Sequence, residues 1–132
     1  MDEAANTLAH RIVLLVENDT ELRTAIAMTL ENWGADVLAC GSDVEALDLL
    51  REIDIAPDVI LADYQLDNGA TGTDLIVILR QLYGPLPACV ISANRAPEVV
   101  TLCNNLRAPL LHKPLDLEAL REALQTAPNP DA

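Results

Sequence analysis

The segment Ile12-Val-Leu-Leu-Val-Glu-Asn-Asp19 passes without a break from five branched aliphatic residues to three polar ones. A run this short cannot cross a membrane, and it lacks the alternation of a strand with one wet face. It reads as a strand buried on both faces, delivering an acid, an amide and a second acid at its carboxyl end. Four further runs have the same character: Asp36–Cys40, Asp58–Ala62, Ala88–Ile91 and Pro109–His112.

Helical patterns separate these runs. Leu22, Ile26, Leu30 and Trp33 recur every three or four residues, and Gly34 ends the pattern. Asn18 with Glu21 offers this helix an N-cap pair, which competes with a metal-binding reading of Asn18. Ser42 and Glu45 form a capping box in front of a stripe of Val44, Leu47, Leu50 and Ile53. Leu75 to Leu82 is apolar nearly all round, which predicts a well-covered helix. Pro97–Leu106 and Asp116–Leu124 supply a fourth and a fifth helix. The alternation implies right-handed βαβ units and a doubly wound α/β fold on a parallel sheet. Ligands of such sheets bind beyond the carboxyl ends of the strands. Residues 1–10 and 126–132 read as tails or linkers around one domain over residues 11–125.

Composition narrows the function. The 132 residues suit a single domain, and a hydrophobic fraction of 51% excludes a disordered chain. There is no Phe, and the aromatics are Trp33, Tyr64 and Tyr83, so the core must be aliphatic. With 8 basic against 21 acidic residues the net charge is −13, and the arginines are scattered from Arg11 to Arg121. No basic patch exists for phosphate backbones or anionic lipid, so neither nucleic acid nor a membrane is expected as a direct partner. Cys40, Cys89 and Cys103 form no CxxC, and two of them lie in apolar runs. They indicate a reducing, cytoplasmic setting without disulfides or zinc. Met1–Ala9 is acidic and lacks the pattern of a signal peptide.

The strand ends carry the chemistry. Glu17, Asn18 and Asp19 follow the first run, Asp63 the third, Ser92 the fourth, and Lys113 with Pro114 the fifth. Carboxylates at one edge suit Mg²⁺, a hard ion that takes oxygen ligands. A carboxylate can attack phosphorus, while an ammonium and a hydroxyl take up the charge of the phosphoryl oxygens. These motifs, Ile12 to Asp19, Asp58 to Asp63, Val90-Ile-Ser-Ala93 and Leu111-His-Lys-Pro114, together resemble the receiver domain of two-component response regulators. The resemblance implies a flavodoxin-like sheet of five parallel strands, order 2-1-3-4-5, with five helices. It also implies Asp63 as phosphoacceptor and a Mg²⁺ pocket from Glu17, Asn18, Asp63 and the carbonyl of Gln65. Ser92 would be the switch hydroxyl, and Lys113, ahead of a cis bond to Pro114, the phosphoryl partner. The partner implied is a histidine kinase or histidine phosphotransfer domain. A homodimer through the face from the fourth to the fifth helix is a further expectation.

Three positions depart from the family pattern. Asn18 stands where a second acid is usual, and Leu110 where an aromatic residue is usual. The loop after Asp63, Tyr-Gln-Leu-Asp-Asn-Gly-Ala-Thr-Gly72, lacks the usual proline and is one residue longer. The combination is most similar to receivers fused to hybrid sensor histidine kinases. The alternative is a degenerate receiver that acts as a phosphorylation-independent interaction module. An aspartyl-nucleophile hydrolase ranks lower, because Asp63 lacks a second Asp two residues on.

Overall fold

A computed structural model describes residues 7–131. Its strands are β1 (Ile12–Val16), β2 (Asp36–Cys40), β3 (Val59–Asp63), β4 (Ala88–Ser92) and β5 (Leu110–His112). The helices among the described residues are α1 (Thr20–Asn32), α2 (Asp43–Ile53), α3 (Gly72–Tyr83), α4 (Pro97–Asn105) and α5 (Leu117–Thr126). A single 3-10 turn, Asp67–Gly69, interrupts the loop between β3 and α3. All strand pairs are parallel, in the order β2-β1-β3-β4-β5.

Alternation along the strands feeds two cores. Leu14 and Val16 of β1 pack with Ile60 and Ala62 of β3 against α2, α3 and α4. Val13 and Leu15 join Val59, Leu61, Cys89 and Ile91 against α1 and α5. Burial on both faces explains the unbroken apolar runs. The three cysteines are buried free thiols, and burial raises Cys40 to about 11 and Cys89 to about 12.

Several local expectations are corrected. The third strand runs one residue later than Asp58–Ala62; Asp58, just before it, accepts from the backbone amide of Ile12 through its side chain (2.7 Å). Helix α3 is less well covered than its apolar content predicts: Val77, Ile78 and Leu82 are 40%, 41% and 62% exposed. Only the face of Leu75, Ile76 and Leu79 meets the sheet, and a two-layer contact buries one stripe of a helix. Within the tail expected over residues 1–10, Leu8 belongs to the folded domain. Leu8 is fully buried in the α1/α5 core, and its amide donates to the carbonyl of Trp33 (2.9 Å). The rest of that expectation, residues 1–6, and Ala132 of the carboxyl tail lie outside the described residues.

Candidate functional site

Parallel pairing brings the strand ends to one edge. Asp63 and Ser92 are the last residues of β3 and β4, within the ladder, opposite Ile91 and His112. The amide of Glu17 continues the β1 ladder by donating to the carbonyl of Cys40 (3.0 Å). Arg23 of α1 holds this end from outside, its guanidinium donating to the Glu17 carbonyl (2.8 Å). Helix α3 starts close against β3. A Cβ at Gly72 would collide with the Asp63 carbonyl, and the Gly72 amide donates to the Tyr64 carbonyl (2.8 Å). Glycine is therefore required there by proximity.

Glu17, Asp63 and Ser92 are three of the four polar residues in the buried set among the described residues. Lys113 Nζ donates to Asp63 Oδ2 at 2.7 Å and lies 3.5 Å from Glu17 Oε2. The amide of Gln65 donates to Asp63 Oδ1, and the amide of Asp19 to Glu17 Oε1, both at 3.1 Å. Glu17 Oε2 has no hydrogen-bond partner although it is buried. Burial first, and then the neighbouring Asp63 carboxylate, raise the Glu17 carboxyl to about 7. Burial disfavours the Lys113 ammonium, but its hydrogen bond with Asp63 and the charges of Asp63 and Glu17 prevail and raise its pKa. The Lys113–Pro114 peptide bond is cis.

A cavity of about 350 Å³ opens over this group, lined by Asn18, Asp63, Gln65, Asp67, Ser92, Ala93 and Lys113 among others. Small Ala93 leaves Asp63 accessible from it. The Ser92 hydroxyl is turned to its own loop: it accepts from the Asn94 amide (2.9 Å) and donates to the Asn94 carbonyl (3.2 Å). Tyr64 and Leu110 are half-buried against the α2/α3/α4 core.

The N-cap reading of Asn18 is corrected. Asp19, with extended backbone, caps α1 and accepts from the amides of Glu21 (3.0 Å) and Leu22 (3.2 Å). A cap must stand directly before the first helical residue, and that residue is Thr20. Asn18 is left to the cavity mouth, where its amide nitrogen donates to Asp67 Oδ1 at 3.0 Å. Sequence reasoning did not single out Arg23 or Asp67. Both act through contacts between distant segments, which leave no mark in local spacing.

The donors present suit a hard cation. Glu17 Oε2, which makes no hydrogen bond and only the 3.5 Å ion pair with Lys113, stands at this edge with Asp63 and the Asn18 side-chain carbonyl oxygen. The Gln65 carbonyl is available too, since its bridge with Thr71 is closed by the hydrogen bonds of neighbouring residues. Mg²⁺ needs only one or two protein carboxylates when a phosphate completes its shell. Among the described residues no group of three or more His, Cys, Asp or Glu side chains is placed to hold a metal. The buried acids at this edge are Glu17 and Asp63, with an amide at position 18.

Solved structures share the fold. The chain superposes on a response regulator receiver domain protein from Clostridium thermocellum with a TM-score of 0.80, at 20% identity over 89% of this chain and 93% of that one. It is similar to the chemotaxis protein CheY4 of Vibrio cholerae (TM-score 0.80, 25% identity, 91% of this chain and all of that one). The N-terminal domain of a protein from Wolinella succinogenes matches at 27% identity, with a TM-score of 0.76 over 89% of this chain and 92% of that one. Comparison with curated proteins yields no match. The response regulator receiver domain pattern matches residues 13–125, from the second residue of β1 to the last turn of α5, and by that match the chain belongs to this family.

Proposed function

We propose that this domain accepts a phosphoryl group from phosphohistidine onto Asp63. The observation that carries the reading is the trio in which Lys113 Nζ is shared between Asp63 Oδ2 (2.7 Å) and Glu17 Oε2 (3.5 Å), both carboxylates being buried. An Asp63 carboxylate oxygen attacks phosphorus, the P–N bond breaks, and the imidazole leaves with the electron pair and takes up a proton. Lys113, already at hydrogen-bond distance, moves with the negative charge from carboxylate to phosphoryl oxygen. Ser92 exchanges its Asn94 contacts for a phosphoryl oxygen, which releases the loop leading into α4. Glu17, Asn18, Asp63 and the Gln65 carbonyl hold Mg²⁺, which when bound neutralises charge on the transferring group.

The donor is a histidine kinase or histidine phosphotransfer domain in the cytoplasm. A hybrid kinase is the proposed parent, and the α4–α5 face the proposed surface for self-association. The degenerate reading keeps one specific support, the amide at position 18 tied to Asp67. Incubation with a phosphorylated histidine phosphotransfer domain and Mg²⁺ separates the two. The expected result is loss of label from the donor and its appearance on this domain, abolished by Asp63→Asn. Label that persists on Asp63→Asn would overturn the assignment, and no transfer from any histidine donor would favour the degenerate receiver.

A further inference from the structure

We infer that Asp67 is a positioning residue that replaces, from a different loop, the acid missing at position 18; this rests on the cation-assisted reading above. The two side chains come from loops 49 residues apart and meet at the cavity mouth, Asn18 Nδ2 donating to Asp67 Oδ1 at 3.0 Å. A carboxylate only accepts hydrogen bonds, so it fixes which way the amide faces. The nitrogen is held by Asp67, and the carbonyl oxygen is the pole left over for a cation. Both residues line the cavity that Asp63 and Lys113 line. The fully buried Glu17 is the second carboxylate beside Asp63, its Oε2 making no hydrogen bond and held only by a 3.5 Å ion pair with Lys113.

Asp67 also adds the negative charge that Asn18 lacks, one residue removed from the cation. Its part is to orient the amide, not to ligate the cation. The loop geometry makes the reach feasible. Asn68 adopts a left-handed conformation (φ 59°) and Gly69 a positive φ of 78°, so the chain turns sharply just after Asp67. Residues that orient a ligand in this way typically change metal affinity about 10–100-fold when removed.

The test is Mg²⁺ titration of the intact domain by calorimetry, with Mn²⁺ binding read by electron paramagnetic resonance. Asp67→Ala is expected to weaken binding about tenfold, at the lower end because the contact is exposed. Asp67→Asn, which keeps an acceptor but not the charge, should fall between. In an Asn18→Asp background the acid is restored directly, and the same Asp67→Ala change should leave affinity unchanged or improve it. That reversal is one a merely structural loop residue would not produce. Equal losses from Asp67→Ala in both backgrounds, or none in either, would overturn the inference while leaving the metal reading intact. Absence of Mg²⁺ and Mn²⁺ binding by the unaltered domain would overturn both.

Discussion

Arg80 and Lys113 are both partly buried cations, and they are held in opposite ways. The Arg80 guanidinium donates to two backbone carbonyls, Leu86 (2.8 Å) and Leu106 (2.6 Å), and so ties α3 to the segments before β4 and after α4. Those carbonyls cannot move without unfolding something, and burial lowers the Arg80 pKa. Lys113 instead faces two side-chain carboxylates, Asp63 at 2.7 Å and Glu17 at 3.5 Å. Its partners can be exchanged for phosphoryl oxygens without disturbing the sheet. A cation bonded to backbone is a rivet, whereas a cation shared between two buried carboxylates beside a cavity marks a candidate reactive site.

The comparison can be broken by substitution. Lys113→Ala should lower the rate of phosphoryl uptake about a hundredfold, the usual loss of one charge-stabilising donor, as followed by label incorporation. Arg80→Ala should do the reverse. It should cost about 2–3 kcal/mol in denaturant unfolding, through two carbonyls losing a charged donor, and leave uptake by the folded fraction unchanged. If Arg80→Ala slowed uptake as much as Lys113→Ala, the division between rivet and site would be wrong.

Charge at the site also sets a pH dependence. Glu17 titrates at about 7 in the fold against 4.5 for the ordinary side chain. The folded state therefore holds this proton more tightly than the unfolded one between those values. Metal-free stability should fall as pH rises from about 4.5 to about 7 and level off above, by about 1–3 kcal/mol. Glu17→Gln should flatten that slope, as measured by denaturant midpoints with a chelator present. The smallest effect belongs to a third cation, Arg51, whose contact with Asp48 is 3.9 Å long and largely solvated. Arg51→Ala should change stability by no more than about 0.5 kcal/mol.

Much of this was legible in the residues themselves. The apolar runs located every strand to within a residue, because strands buried on both faces leave no polar interruption. Asp63, Ser92 and Lys113 followed from their place after those runs, since strand ends share one edge. What stayed hidden depends on distant partners. Nothing near Leu8 signals that it fills the core between α1 and α5, because its neighbours there come from far along the chain. The outward side of α3 looks like core in sequence, as apolar content does not reveal how many layers cover a helix. Asn18 was ambiguous for the same reason, and the choice turned on Asp67, contributed by another loop.

The central claim is that Asp63 is the acceptor, with Lys113 and the Glu17 pocket serving it. The most direct measurement is intact-mass analysis after incubation with phosphoramidate and Mg²⁺, followed by peptide mapping. The account predicts a gain of one phosphoryl group, labile in base, located at Asp63 and lost on adding a chelator before the donor. A phosphoryl group mapped to another residue, or a gain indifferent to both Mg²⁺ and Asp63→Asn, would contradict it.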